Sequence, residues 1–245
     1  MNETINLLKA HKSIRKYKNQ PIEDEKIKAI IECAQSASTS SFIQAYTIIS
    51  VKDENIRKNI AHLAGDQPYI EQCPLFLVFC ADLSRIKTSC EINHKTMAEG
   101  YTETFILATV DATLAGQNAL IAAESLGLGG VYIGGIRNNP TEICKLLNIP
   151  SGAYPVFGMC LGYPDHSPDI KERLPLDVIF KTDSYGIEGD DIRIEKYDGE
   201  ISDYYKRRTK GKRSDTWTNQ VSDLMDKPQR PHMKAFLDKQ GFEMK

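Results

Sequence analysis

The chain has 245 residues, with 31 Lys and Arg against 33 Asp and Glu and a formal charge of -2. That length fits one large domain with an appendage, and the balanced charge excludes a global attraction to nucleic acid or to an anionic membrane surface, so any basic function must be local. The first residues lack a basic segment followed by an apolar stretch and no later stretch reads as a membrane span, so the cytoplasm is the expected compartment.

Residues 4–10 read as a short helix carrying Ile5, Leu7 and Leu8. The segment after it, His11-Lys12-Ser13-Ile14-Arg15, is extended, and alternate residues of such a segment can aim His, Ser and Arg groups at one anion. Pro21 closes it. Ile27, Ile30, Ile31 and Ala34 recur at helical spacing, which predicts a helix over 24–37 capped by Asp24 and stopped by the Ser/Thr run 36–41. Residues 45–51 are β-branched and aromatic enough for a strand, and 53–63 return to helical spacing. A loop with Gly65, Gln67, Pro68 and Tyr69 follows. Residues 75–80 are a continuous apolar run, which suits a strand covered on both faces and predicts a sheet with helices on both sides.

Residues 103–126 predict a long helix, small and apolar nearly all round, as expected of a core or a subunit interface, with Gly127 ending it. Strands are predicted over 131–136 and 156–161, separated by a helix that begins near Pro140. Beyond Pro175 the composition turns polar, and from Asp198 onward Tyr204 and Tyr205 lead into a basic run broken by Gly211. The chain therefore divides into a core over 1–197 and an extension over 198–245. Met233, Phe236 and Leu237 are at helical spacing, so the end of the extension docks. The six cysteines contain no Cys-x-x-Cys pair and read mostly as reduced packing residues.

Several chemistries are not supported. Gly127, Gly129 and Gly130 precede a strand where a dinucleotide fingerprint would follow one, and Tyr132 stands where the last glycine belongs. Gly211-Lys212 is followed by Arg213 and lacks the upstream glycine of a phosphate-binding loop. The five histidines form no metal-ligating pair, so no metal is expected. What remains is Tyr132-Ile133-Gly134-Gly135-Ile136-Arg137, whose glycines either let a flat ligand approach the backbone or form a tight turn. A second basic pair, Lys171 and Arg173, looks like the other half of a phosphate clamp begun at residues 11–15, and a flavin mononucleotide (FMN) site is the leading idea.

These motifs, with the Ser/Thr-rich Ser38 to Ser41 followed by Phe42 and Gln44, and with Arg208 through Trp217 and Arg230 to Phe242, resemble the FMN-dependent nitroreductase superfamily. Within it they are similar to the NADPH-preferring nitroreductase and flavin reductase branch. Lys12 stands where many relatives carry Arg. The resemblance implies an α+β, three-layer sandwich with a mostly antiparallel sheet, in an intertwined homodimer with FMN at the subunit interface and an extension that wraps the partner. It implies that His11, Ser13, Lys171 and Arg173 hold the phosphate, while Arg15 faces the pyrimidine edge of the flavin. Gln67, Tyr69, Tyr132, Gly134 and Gly135 would line the ring, and Ser38, Thr39 and Ser40 would come from the partner subunit. Arg208, Arg213 and Arg230 would take NADPH.

The implied reaction is a ping-pong cycle from NADPH through FMN to nitroaromatics, quinones or free flavin. Arg15 would supply a permanent charge that favours the reduced flavin, and Phe42 would be either an apolar wall for flat acceptors or a core residue. Two alternatives are another flavoenzyme of the same fold, dehalogenase-like or flavin-supplying, and a non-enzymatic module that binds anions or nucleic acid. The second explains the basic run but leaves the Tyr-Ile-Gly-Gly segment without a role.

Overall fold

The computed structural model describes residues 2–245. They form two compact units: one runs up to Pro168 and takes in His232–Lys245, and the other is Asp169–Pro231.

The first unit contains α1 (Glu3–Lys9), α2 (Asp24–Gln35), β1 (Tyr46–Ser50), α3 (Glu54–Leu63), α4 (Tyr69–Gln72), β2 (Leu75–Asp82), α5 (Ser84–Ile92), α6 (Thr102–Ser125), β3 (Gly129–Ile133), α7 (Pro140–Leu147) and β4 (Ala153–Gly162). The strands form one sheet in the order β1-β2-β4-β3, and every neighbouring pair is antiparallel. All residues of β2 and β4 are buried, so the continuous apolar run at the sheet centre is covered on both faces as its composition predicts. Phe79 and Phe157, opposed in the β2–β4 register, stack with ring centroids 5.2 Å apart.

Helix α6 lies against all four strands and against α2. Its buried face is mostly alanine, with Ala108, Ala112, Ala115, Ala119 and Ala123 fully covered, which lets the helix sit close to the sheet. By length and composition alone this helix is long and apolar enough to cross a membrane, contrary to the expectation that no stretch is. Its packing identifies it as the core helix of the unit. It ends where expected, because Gly127 adopts φ +78°, a left-handed conformation that costs glycine nothing.

Other boundaries differ from the expectations. Asp24 lies inside the first turn of α2 and Glu23 precedes it, without a side-chain cap. Strand β3 begins two residues earlier than predicted and stops at Ile133, because Gly134–Arg137 coil into a 3₁₀ turn. Helix α5 is weakly amphipathic and buries none of its residues, so it left little periodic trace in the sequence.

The second unit holds α8 (Leu176–Ile179), α9 (Asp190–Arg208) and α10 (Trp217–Met225). Its small core is Tyr197, Ile201, Tyr204 and Tyr205 on one face of α9, with Leu174 and Trp217 against them. Asp198 fastens α10 by accepting from the Thr218 backbone at 3.0 Å and from its hydroxyl. The last helix, α11 (Met233–Lys239), returns to the first unit, where Phe236 and Leu237 are buried as their spacing predicts, Met233 is half-buried, and Phe242 beyond the helix is buried as well.

Candidate functional site

The segment after α1 leaves the helix and runs beside β3. Ser13 forms a parallel bridge with Gly130, and the Ile14 N–H donates to the Gly130 carbonyl at 2.9 Å. Extended backbone alternates its side chains. Ile14 therefore turns inward and is buried, while Ser13 stays half-buried and Arg15 is exposed. His11, one alternation earlier, places Nδ1 2.6 Å from Glu124 Oε1 on α6, so Nε2 is the ring nitrogen left for another group.

Arg15 reaches the Tyr69 phenol, which burial holds above its ordinary pKa against the opposing charge of Arg15. The Tyr69 hydroxyl donates to Gln67 Oε1 at 2.5 Å, and Gln67 Nε2 donates to the Ala64 carbonyl at 2.6 Å. The 3₁₀ turn closes the ring of contacts. A Cβ on Gly135 would lie 2.3 Å from the Ala64 oxygen and 2.4 Å from Gln67 Nε2, so that glycine is demanded by packing. Gly134 differs, since a Cβ there would come no nearer than 3.5 Å to any neighbour, the Arg137 guanidinium. Tyr132, just before the turn, donates to Gln117 at 3.2 Å and sits edge-on to Phe157 at 4.9 Å. Burial, with the charge of Glu124, pushes its phenol up to about 12. Three segments remote in sequence, 11–15, 67–69 and 132–135, thus form one connected surface.

The Ser38–Ser40 segment opens a strained loop in which Ser41, Phe42 and Gln44 all have positive φ. Asp111, fully buried on α6, ties down both ends: Oδ1 accepts from the Ser40 N–H at 3.1 Å and Oδ2 from the Ala45 N–H at 3.0 Å. Among the described residues Thr39 Oγ1 is buried with no hydrogen-bond partner. Phe42 is 82% exposed at the loop tip, which removes the alternative that it packs in a core. Asp111, Gln117 and Glu124 were missed in the sequence. The signal was present for two of them, because α6 carries only Glu103, Asp111 and Glu124 as charged residues in an otherwise uncharged helix.

In the second unit, Tyr205 collects two cations. Lys171 Nζ lies 3.0 Å from its hydroxyl and over its ring, and the Arg213 guanidinium lies 4.6 Å from the ring centroid while Nε donates to Asp215 at 2.7 Å. Arg208 donates to the neighbouring Tyr204 hydroxyl at 3.1 Å. Lys171, assigned in the sequence to a different ligand from Arg208 and Arg213, is therefore held on the same pair of tyrosines as they are. Arg173 is exposed and its charge acts on Tyr197, and Arg230 is half-buried with left-handed backbone. Among the described residues no cluster of His, Cys, Asp and Glu could hold a metal.

The chain is similar to known proteins over its length. Residues 8–163 match the model of the nitroreductase family, and residues 171–245 match that of the nitroreductase family C-terminal domain. The chain is 41% identical to the FMN reductase (NADPH) of Bacillus subtilis, over 99% of each chain, and 41% identical to the oxygen-insensitive NADPH nitroreductase of Salmonella typhimurium, again over 99% of each. The solved structure of B. megaterium NfrA1 superposes with a TM-score of 0.95 at 45% identity, covering 98% of this chain and 99% of that one. With both units matched and the fold shared from end to end, this chain belongs to the nitroreductase family.

Proposed function

We propose that this chain is an NADPH-dependent FMN oxidoreductase that carries reducing equivalents from NADPH to nitroaromatics, quinones or free flavin in a ping-pong cycle. The observation that carries the reading is the connected surface of segments 11–15, 67–69 and 132–135 in the first unit, on a chain so similar to an FMN reductase and a nitroreductase. The residues present fit a flavin. Neither φ nor internal packing requires glycine at 134, which suits close approach by a flat ring from outside the chain. Thr39 also offers a buried hydroxyl that has no hydrogen-bond partner among the described residues.

When FMN is bound, the chemistry it supplies is acceptance of a hydride from NADPH and its delivery to a second substrate. His11, Ser13, Lys171 and Arg173 are assigned to the phosphate, for which they offer charged and neutral donors. Arg15 is assigned to the pyrimidine edge, where a guanidinium that does not lose its proton favours added electrons throughout the cycle. Gln67, Tyr69, Tyr132, Gly134 and Gly135 line the ring. Both phenols have raised pKa values and stay protonated at neutral pH, so they donate hydrogen bonds without adding negative charge.

The same reading makes the enzyme an intertwined homodimer of three-layer sandwiches, with Ser38, Thr39 and Ser40 serving the flavin of the other subunit. Exposed Ile106, Val110 and Leu114, four residues apart on α6, support an apolar interface. Residues 198–245 are the extension that wraps the partner, and Arg208, Arg213 and Arg230 recognise NADPH. Phe42 walls the acceptor site. All six cysteines are free, which suits the reducing cytoplasm.

The test is the visible spectrum of the purified protein, followed by NADPH titration with nitroaromatic, quinone and FMN acceptors. The expected result is a yellow protein that NADPH bleaches and an acceptor restores. A colourless protein that takes up no FMN overturns the assignment.

A further inference from the structure

Cys73 and Cys160 interact with each other in the first unit and both act on Tyr17, whose hydroxyl donates to the Cys160 carbonyl at 3.3 Å. Cys73 caps α4, and Cys160 is on β4 opposite Phe76 of β2. Both are buried, at 1% and 0% exposure. Burial normally makes a thiol inert by disfavouring its anion, and it raises the Cys144 thiol to about 11.

Cys73 has a different environment. Arg57, from α3, chelates the end of α4: Nε and Nη2 donate to the Ile70 carbonyl at 3.0 and 2.7 Å, and Nη2 also reaches the Cys73 carbonyl. The same Nη2 lies 3.2 Å from Cys73 Sγ. The backbone N–H of Leu161 and the thiol of Cys160 are directed at this sulfur too. One charged donor thus lies on a buried sulfur on which the Cys160 thiol and the Leu161 N–H also act, and the Cys73 thiol has the Ile70 carbonyl at 3.5 Å as its own acceptor. Burial acts to raise the Cys73 thiol, but the Cys160 thiol, Arg57 and Leu161 outweigh it and hold it below its ordinary value, while burial and the neighbouring Cys73 raise Cys160.

We propose that Cys73 and Cys160 are a redox-active dithiol, with Cys73 the nucleophile and Cys160 the resolving thiol, oxidised by a small peroxide such as hydrogen peroxide. The Cys73 thiolate attacks one peroxide oxygen, an S–O bond forms and the O–O bond breaks, and the departing hydroxide takes a proton to become water. Cys160 then attacks that sulfur, the S–S bond forms, the S–O bond breaks, and the second oxygen leaves as water with the Cys160 proton. Two thiols lose two electrons and one hydrogen peroxide becomes two waters. Burial selects the oxidant by size. Peroxide enters through local opening beside the half-buried Arg57 side chain, and bulky disulfide reagents do not.

The holoprotein, without NADPH, is treated with hydrogen peroxide, denatured, alkylated and mapped by mass spectrometry. The expected result is loss of two alkylatable thiols and a Cys73–Cys160 linked peptide that dithiothreitol removes. In Cys160→Ala the expected product is a Cys73 sulfenic acid trapped by dimedone, and in Arg57→Gln the linkage forms about tenfold more slowly, as loss of a charged donor implies. Mapping of the unmutated protein decides the matter even if a variant fails to fold. If both cysteines stay alkylatable, or peroxide modifies Cys33 and Cys90 instead, the proposal is overturned.

Discussion

Asp111 Oδ2 accepts the backbone N–H of Ala45 at 3.0 Å where both residues are completely shielded from solvent. Its other oxygen holds Ser40, so one carboxylate on the core helix closes a loop containing three left-handed residues. Asp111→Asn replaces one acceptor by a donor facing an N–H. Stability should fall by about 1–3 kcal/mol, the cost of leaving a buried polar group unsatisfied, as read from denaturant unfolding. Hydrogen exchange should rise at residues 40–45 specifically; uniform loss of protection would show a general packing defect instead.

The adjacent glycines of the 3₁₀ turn should respond oppositely to the same methyl group. Gly135→Ala drives a Cβ into the Ala64 carbonyl and should cost roughly 1–3 kcal/mol of stability. Gly134→Ala meets nothing closer than 3.5 Å, so its stability should stay within about 0.5 kcal/mol of the parent. Its FMN affinity should nevertheless drop, measured by flavin fluorescence. Unimpaired affinity in Gly134→Ala argues against a ring passing over that backbone.

Arg15→Ala removes the exposed cation beside Tyr69. The midpoint potential of the bound flavin should fall by about 30–60 mV, the equivalent of one to two factors of ten for a two-electron couple. Dye-equilibration titration measures it, and an unchanged potential removes the role given to this residue.

Arg208 and Arg213, held on Tyr204 and Tyr205, are assigned to the phosphate that distinguishes NADPH from NADH. Replacing both by Ala should raise the KM for NADPH roughly tenfold or more, with little change for NADH. Steady-state kinetics with the two donors decide it; equal weakening would mean these side chains do not discriminate the phosphate.

Asp82 gives a pH signature of stability. Burial raises its pKa, but hydrogen bonds from Ser84 at 2.8 and 2.5 Å and from Thr47 at 2.5 Å, with Arg85 nearby, outweigh that and leave it depressed. A carboxyl depressed in the folded state contributes stability that is complete above its unfolded value, about 3.9, and is lost as pH falls through the folded value. Asp82→Asn should therefore destabilise the protein at pH 7 by about 1–3 kcal/mol. The difference from the parent should shrink below about pH 4. Thermal melts across pH 3–7 would show it, and a gap independent of pH would rule out the ionic contribution.

Local patterning carried much of the architecture. The apolar run at 75–80 specifies a doubly covered strand because no polar side chain is available for a wet face, and the spacing of Phe236 and Leu237 specifies a docked final helix for the same hydrophobic reason. The chemistry-bearing motifs were also legible, since alternate His, Ser and Arg groups and paired glycines are written in adjacent residues. What chain order could not show is which distant group each one meets. The Glu124 that orients His11, the Asp111 that clamps Ser40 and Ala45, and the Arg57 aimed at Cys73 are 113, 71 and 16 residues from His11, Ser40 and Cys73. A hydrogen bond depends on ångströms in space, and only the packing of α6 on the sheet and of α3 against α4 brings those atoms within reach.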